Sequence, residues 1–264
     1  MVSIATVNVN GVRAAQRKGM AGWLAKAAPA IVCLQEVRAP DEPLVTALPG
    51  REIHHDECLI KGRAGVAIGT ALTMTQRRVG LGLAGDVNTG RWVEADVEIP
   101  TWERPLTVVS AYVHTGELGT EKQEAKHAFL AAMTRRLGEL GSDPEALAVV
   151  CGDINVAHTE RDIRNWRGNV GKRGFTEQER AHLTTWFDEL GWVDVGRRLA
   201  GDVDGPYTWW SWRGGAFDRD VGWRIDYHLA TPSLASLARS ARVDRAASWD
   251  MRWSDHAPLV VDYR

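Results

Sequence analysis

Residues 146–158 read ALAVVCGDINVAH. An apolar run of this length, closed by Gly and Asp, has the form of a buried strand. It stops on Gly152, Asp153, Ile154 and Asn155, so a carboxylate and an amide stand where the strand ends. Outward in both directions the form recurs: SIATVNV, AIVCLQE, GVAIGT, RWVEADVEI, LTVVSAYV, RIDYHLA and APLVVDY, each bounded by Gly, Pro, Asn or Asp. Helical spacing lies between some of them. Met20, Trp23, Leu24 and Ala27 share one face, and Pro29 ends that segment. The segment from Thr120 to Leu140 places Phe129, Leu130, Met133 and Leu137 together, and Thr176 starts a run to Leu190, with Gly191 beyond it. Strands and helices mix without strict βαβ alternation, which predicts an α/β fold of sheets packed on sheets with helices outside.

Polar groups at strand ends set the functional reading. SIATVNV leads into Asn8 and Asn10, and AIVCL ends at Gln35 and Glu36. TVVSAYV carries Tyr112 and His114, RIDYHLA begins with Asp226, and the last strand follows Ser254, Asp255 and His256. With Asp153 and Asn155, six runs deliver oxygen donors and an imidazole to what reads as one rim. Crowded carboxylates repel one another unless a cation neutralises them. An all-oxygen set suits a hard divalent ion, which takes one or two carboxylates with water and substrate phosphate. A metal, a base and a phosphate-binding group together suit phosphodiester hydrolysis. A nucleophilic serine does not fit: the chain has no G-x-S-x-G elbow, and Ser254 adjoins Asp255 and His256 in sequence.

Composition narrows the classes. The 264 residues are 25% charged and 44% hydrophobic, with 32 basic and 34 acidic groups. That excludes a disordered chain and a bulk polycation. No stretch reaches the roughly 18 apolar residues of a membrane span, and the start lacks the form of a signal peptide. Cys33, Cys58 and Cys151 are few, odd in number and widely spaced, so they predict free thiols and a reducing cytoplasm. One catalytic domain over 1–264 is expected, since no linker or repeat divides it. Tryptophan is in excess, 12 against 4 Phe and 4 Tyr.

In this order and spacing, TVNVNGVRA, CLQEVR, GRAGVAI, GRWVEAD, SAYV, CGDINVAH, GWRIDY and WSDHAPL form a set. By it the chain resembles the exonuclease III-type apurinic/apyrimidinic endonucleases of the endonuclease/exonuclease/phosphatase superfamily, from about Ile4 to Tyr263. The resemblance implies a four-layer α/β sandwich, two mainly antiparallel or mixed sheets flanked by helices. It implies a monomeric repair enzyme that incises duplex DNA 5′ to abasic sites, leaves a 3′-hydroxyl, and also trims and cleans 3′ ends. Mg²⁺ is the implied cofactor, with Mn²⁺ as a substitute.

Carried over motif by motif, Glu36 is the principal metal ligand, with Asn8, Asn10 and Asp255 close by and Asp153 and Asn155 at the same centre. Asp153 orients or deprotonates the attacking water with help from Asn155. His256, oriented by Asp226, binds the scissile phosphate, as does Tyr112. Trp209, Trp210, Trp223 and Ile225 correspond to a tight apolar pocket for an extrahelical, base-free sugar, where sterics select the lesion.

RDIRNWRGNVGKR (161–173) follows the Asp153–Asn155 motif with five basic residues and one acid, which suits phosphate contacts. Asn165, Asn169 and Lys172 within it, and Arg91 elsewhere, are expected DNA contacts. Glu94 is expected to buttress the site and His158 to stand just behind it. His54, His55, His127 and His182 lack a metal-like spacing and read as structural. The chain departs from many relatives at His114-Thr115-Gly116, which leaves open the contact with the strand 5′ of the lesion, and from some at Lys172, which leaves open the balance between endonuclease and exonuclease action. A phosphatase acting on a lipid or small phosphoester is the alternative within the superfamily, and a DNA-binding module without catalysis is the alternative outside it.

Overall fold

The computed structural model describes residues 1–83 and 88–264. In chain order the strands are β1 (Val2–Asn8), β2 (Ile31–Gln35), β3 (Glu52–Asp56), β4 (Val66–Thr70), β5 (Met74–Val79), β6 (Trp92–Val97), β7 (Leu106–Tyr112), β8 (Ala148–Asp153), β9 (Val193–Asp194), β10 (Asp226–Ala230), β11 (Ala238–Val243) and β12 (Leu259–Tyr263). The helices are α1 (Val12–Arg17), α2 (Met20–Ala27), α3 (Asp41–Ala47), α4 (Glu121–Leu140), α5 (Glu177–Thr184), α6 (Val195–Ala200) and α7 (Pro232–Leu237).

Two six-stranded sheets form, ordered β11-β12-β1-β2-β4-β3 and β5-β6-β7-β8-β10-β9. Each is antiparallel except for one central parallel pair, β1 with β2 and β7 with β8. Parallel neighbours finish side by side, so these pairs set Asn8 beside Gln35 and Tyr112 beside Asp153. The antiparallel strand β10 starts where β8 stops, which places Asp226 opposite Asp153.

Alternation along the strands separates the layers. Ile31 and Cys33 face the other sheet, where Val108, Val149 and Cys151 meet them. Val32 and Leu34 face outward onto Met20, Leu24 and Leu44 of the first helical layer. Val109 and Val150 face outward in the second sheet onto Phe129, Leu130, Met133 and Leu137 of α4, the four residues picked out by helical spacing. The layers run helix, sheet, sheet, helix, as expected.

The sequence pattern does not reveal β3, β5, β9 and β11. All four are edge strands, β9 is only two residues long and β5 carries Gln and two Arg, so none has a continuous apolar run. The run after Thr176 also differs in kind. Thr176 and Glu179 form a capping box, α5 ends at Thr184, and residues 185–189 widen to a π-helical turn. That turn seats Trp186, which is buried and donates to Thr134. Cys33, Cys58 and Cys151 are free thiols, the first and last buried between the sheets. Among the described residues no helix is long and apolar enough to cross a membrane.

Candidate active site

The site begins with one buried amide. The Asn8 side-chain N–H group donates to Glu36 Oε1 and to Asp153 Oδ2, each at 2.9 Å, so it joins the two sheets at their common rim. Its oxygen accepts from the backbone N–H of Asn10. Tyr112 Oη donates to Glu36 Oε1 at 2.8 Å, and Arg38 pairs with the other carboxylate oxygen. Asn10 donates to Asp255 Oδ1 at 2.8 Å, while Trp209 Nε1 donates to Asp255 Oδ2 at 3.1 Å.

Backbone geometry aims these groups. Asn10, Glu36 and Asn155 have positive φ of 48°, 50° and 54°, the left-handed region that non-glycine residues rarely occupy. Each lies one or two residues past its strand, turning a polar side chain onto the rim. Gly152 has a specific reason: a Cβ there would stand 1.9 Å from the Ala111 carbonyl oxygen. Only glycine lets β8 approach β7 that closely beside Asp153.

Asp153 is buried and receives the backbone N–H of Asn155 at 3.0 Å and its side-chain amide at 3.3 Å. Burial pushes its carboxyl up to about 7, with Asp226 and Glu36 adding to the rise against the pull of His256 and Asn8. His256 stands between two carboxylates, Nδ1 at 2.9 Å from Asp226 and Nε2 at 3.7 Å from Asp153. Burial alone would lower its pKa, but Asp226, Asp153 and Asp255 outweigh it and hold the ring at about 10, a cation near neutral pH. Arg91 lies with its guanidinium 4.9 Å over the Tyr112 ring and donates to the Tyr112 carbonyl.

Among the described residues no three His, Cys, Asp or Glu side chains form a ready metal cage. The donor set still fits a hard cation that keeps much of its water. Glu36 and Asp255 are carboxylates joined to the amides of Asn8 and Asn10, and Asn8 links Glu36 to the buried carboxylate of Asp153.

The family model described as "Endonuclease/Exonuclease/phosphatase family" matches residues 5–256. The chain belongs to the endonuclease/exonuclease/phosphatase family. It is 32% identical to an exodeoxyribonuclease of Bacillus subtilis, over 96% of this chain and 96% of that one. Among solved structures it is similar to an AP endonuclease from Archaeoglobus fulgidus, with TM-score 0.86 and 30% identity over 100% of this chain and 99% of that chain. It is also similar to a 3′-5′ exonuclease from Neisseria meningitidis, with TM-score 0.87 and 28% identity over 99% of each chain. The protein is a hydrolase of the exonuclease III kind, a DNA-repair nuclease. This family depends on a divalent cation.

Against the family pattern, short backbone bridges draw three segments together. Trp209 and Trp223 exchange both backbone hydrogen bonds at 2.9 Å, and a bridge also joins Trp209 to His256. The Trp209 and Trp223 rings meet edge to face at 6.2 Å, and Trp209 lies 6.5 Å from the His256 ring. Ile225 joins them with Ala157, Ile163 and Phe175, and Trp166 packs alongside. This apolar cluster adjoins the charged rim through Trp209 and His256.

Several expectations need correction. Trp210 does not line that pocket. It is 1% exposed, donates to Asp220 and packs edge-on to Phe217, in a separate core with Tyr207. The alternation that aims Trp209 at the rim sends its neighbour inward. The basic loop is less free than its composition implies, because Arg161 pairs with Asp202, and Arg164 with Asp204. Asn165 and Lys172 are exposed, and Asn169 donates to the Asn165 carbonyl, so these three sit on the loop bordering the pocket. Glu94 does not buttress the rim: it is held by Arg78 and Arg136 on the α4 side of its sheet. His158 bonds Thr184 and lies edge-on to Phe187, and His114 turns onto Phe129.

One buried pair escaped the sequence reading. Lys126 and Glu179 are fully buried 2.6 Å apart, and Lys126 donates to the Asn155 carbonyl at 3.0 Å. The signal was present: Lys126 occupies the apolar face of α4, three and four residues before Phe129 and Leu130.

Proposed function

We propose that the rim is one metal-dependent centre of a single catalytic domain. It hydrolyses the phosphodiester 5′ to an abasic site in duplex DNA, leaving a 3′-hydroxyl, with 3′→5′ exonuclease and 3′-end cleaning at the same centre. The observation that carries this reading is the contact of Trp209 with both halves of the site. Its N–H holds Asp255 while its ring packs against Trp223 and lies beside His256. A phosphate bound at His256 would have its attached sugar directed at an apolar pocket. Such a pocket favours deoxyribose without a base, which is also the nucleotide cheapest to extrude.

In this mechanism Tyr112 and cationic His256 contact the non-bridging phosphate oxygens, and Asp226 keeps the imidazole oriented and charged. Asp153, fixed by Asn8 and Asn155, orients the attacking water and accepts its proton. The new P–O bond forms as the bond to the 3′-oxygen breaks. Glu36, with Asn8, Asn10 and Asp255, would hold Mg²⁺, or Mn²⁺ in its place. That ion would supply positive charge to the phosphate and the leaving oxygen. Arg91, Asn165, Asn169 and Lys172 contact the DNA backbone. The protein acts as a cytoplasmic monomer.

The test is incision of a duplex carrying one tetrahydrofuran abasic analogue, with Mg²⁺ and with EDTA. A single cut 5′ to the analogue, abolished by EDTA, is expected. Lack of that cut with Mg²⁺ present, or cleavage of small phosphoesters instead, would overturn the reading.

A further inference from the structure

The strongest feature outside the catalytic rim is an exposed aromatic cluster on the loops that follow Trp209 and precede Asp255. Trp212, Trp249 and Met251 are 37%, 45% and 61% exposed. The two indoles meet edge to face at 5.9 Å. Cations lie against them: the Arg252 guanidinium is 4.1 Å from the Trp212 ring centre and 5.7 Å from that of Trp249, and Lys18 Nζ is 5.1 Å from Trp212. Arg252 is 5% exposed and donates to the Trp210 carbonyl; among the described residues it makes no ion pair, with Asp255 and Asp218 near enough to act on its charge. Two of its guanidinium nitrogens have no hydrogen-bond partner. A core role does not explain two large indoles left in water against a buried cation.

The cluster continues into a groove of about 650 Å³ between α2 and the 242–253 segment. Lys18, Lys26, Arg245 and Met251 line it with Trp23 and Trp253. Its acid, Asp244, is already engaged by Trp23 and Arg242, and Arg245 is turned onto Asp220, Trp210 and Phe217, which leaves Lys18 and Lys26 to supply the charge. The groove therefore has a net positive charge beside exposed aromatic faces. That combination takes unpaired nucleic acid, because bases stack on aromatic rings and phosphates follow the cations.

Position ties the surface to the nuclease site. Trp212 is three residues beyond Trp209, and Trp249 is six before Asp255. Arg252 is clamped to the Trp210 carbonyl and Asp255 accepts the Trp210 backbone N–H, so the platform and the rim share one support. We infer that Trp212, Trp249 and Met251 form a stacking platform for unpaired nucleotides of the DNA substrate, with Lys18 and Lys26 following the phosphates. The inference rests on the nuclease reading above and adds a binding surface for single-stranded DNA at frayed or gapped ends.

The test is binding of fluorescein-labelled oligothymidylate in EDTA, read by anisotropy and by quenching of tryptophan fluorescence. Abasic-duplex incision with Mg²⁺ is measured in parallel. W212A and W249A should each weaken single-strand binding about 5- to 20-fold, in line with the roughly 1–3 kcal/mol of a stacked base. W249F should stay within about 2-fold of the parent, and both alanine variants should keep incision of a fully paired abasic duplex within about 3-fold, since neither ring belongs to the catalytic set. Unchanged oligothymidylate affinity in both alanine variants overturns the inference. So does a parent dimer, seen by sedimentation, that W249A dissociates, because the surface would then be a self-contact. Failure of the parent to incise abasic duplex is a separate result that overturns the proposed function.

Discussion

The Asp226 carboxylate stands 2.9 Å from Nδ1 of His256, with its second oxygen buried and without a hydrogen-bond partner. A half-satisfied buried carboxylate is costly by itself. Here its charge keeps the buried imidazole protonated beside Asp153.

The two residues should therefore fail as a unit. Asp226→Ala should lower incision by about 10²–10⁴-fold, the span of a lost acid–base or orienting group. Adding His256→Ala to it should cost far less than the product of the single losses. Strictly multiplicative effects in a double-mutant cycle would show that Asp226 acts on something other than His256.

Asn8 ties Glu36 to Asp153 across the two sheets. Asn8→Asp replaces the bridging donor with a third carboxylate, so both pairs become repulsive. We expect a loss of at least about 10²-fold in rate, as for removal of a preorganised charge-stabilising donor. Glu36→Ala should in addition raise the Mg²⁺ concentration needed for half-maximal incision. A Mg²⁺ titration of the residual activity checks this, and an unchanged midpoint would remove Glu36 from the metal centre.

Two tryptophans that the resemblance assigns to one pocket should separate specificity from stability. Trp223→Ala opens the apolar pocket and should erode the preference for abasic over intact duplex. Trp210→Ala empties a buried site and should cost about 3–5 kcal/mol in urea unfolding, as other large aromatic deletions do. Competition between abasic and intact duplex measures the first, and denaturation the second. Exchanged phenotypes would reverse the assignment.

Acid should destabilise the fold through two buried groups, Asp162 and His228. Burial raises Asp162, but Arg224 and Arg197 outweigh it and hold the carboxyl well below its usual range. Its contribution is present above the ordinary carboxylate value and is lost as pH falls toward the depressed one. Burial holds His228 at about 3 against an ordinary 6.5, so it stays neutral in the fold while the unfolded chain takes up a proton below about 6.5. His228 lowers stability as pH falls from about 6.5 to about 3, and Asp162 adds its loss only below the ordinary carboxylate value of 3.8. Asp162→Asn, which leaves Arg224 and Arg197 short of a partner, should cost about 3–5 kcal/mol and flatten the acid slope. Urea midpoints across the pH series check this, and a parent midpoint independent of pH would contradict it.

Much of the site was legible because strand periodicity is local. An apolar run that ends in a polar group declares both its burial and its rim, as ALAVVCGDIN does for Asp153 and Asn155. The same logic located Asn8, Glu36, Tyr112 and Asp226 without pairing information. It could not separate Trp209 from Trp210. Which of two neighbouring indoles faces the rim depends on the bridge between Trp209 and Trp223, a contact across 14 residues. Local charge counting likewise overstated the basic loop, since the acids that pair with Arg161 and Arg164 lie about 40 residues further along.

The sequence by itself determined the strand ends, the helical layers, the oxygen-rich donor set and, through the ordered motifs, the family. Each depends on residues close together in the chain. Only the tertiary structure decided that Asn8 bridges Glu36 and Asp153, that Lys126 supports the Asn155 turn, and that Trp210 belongs to the core. Those outcomes depend on which strands run parallel and on how two sheets meet at one edge. They follow from the packing of distant segments, where burial and charge compensation are settled together.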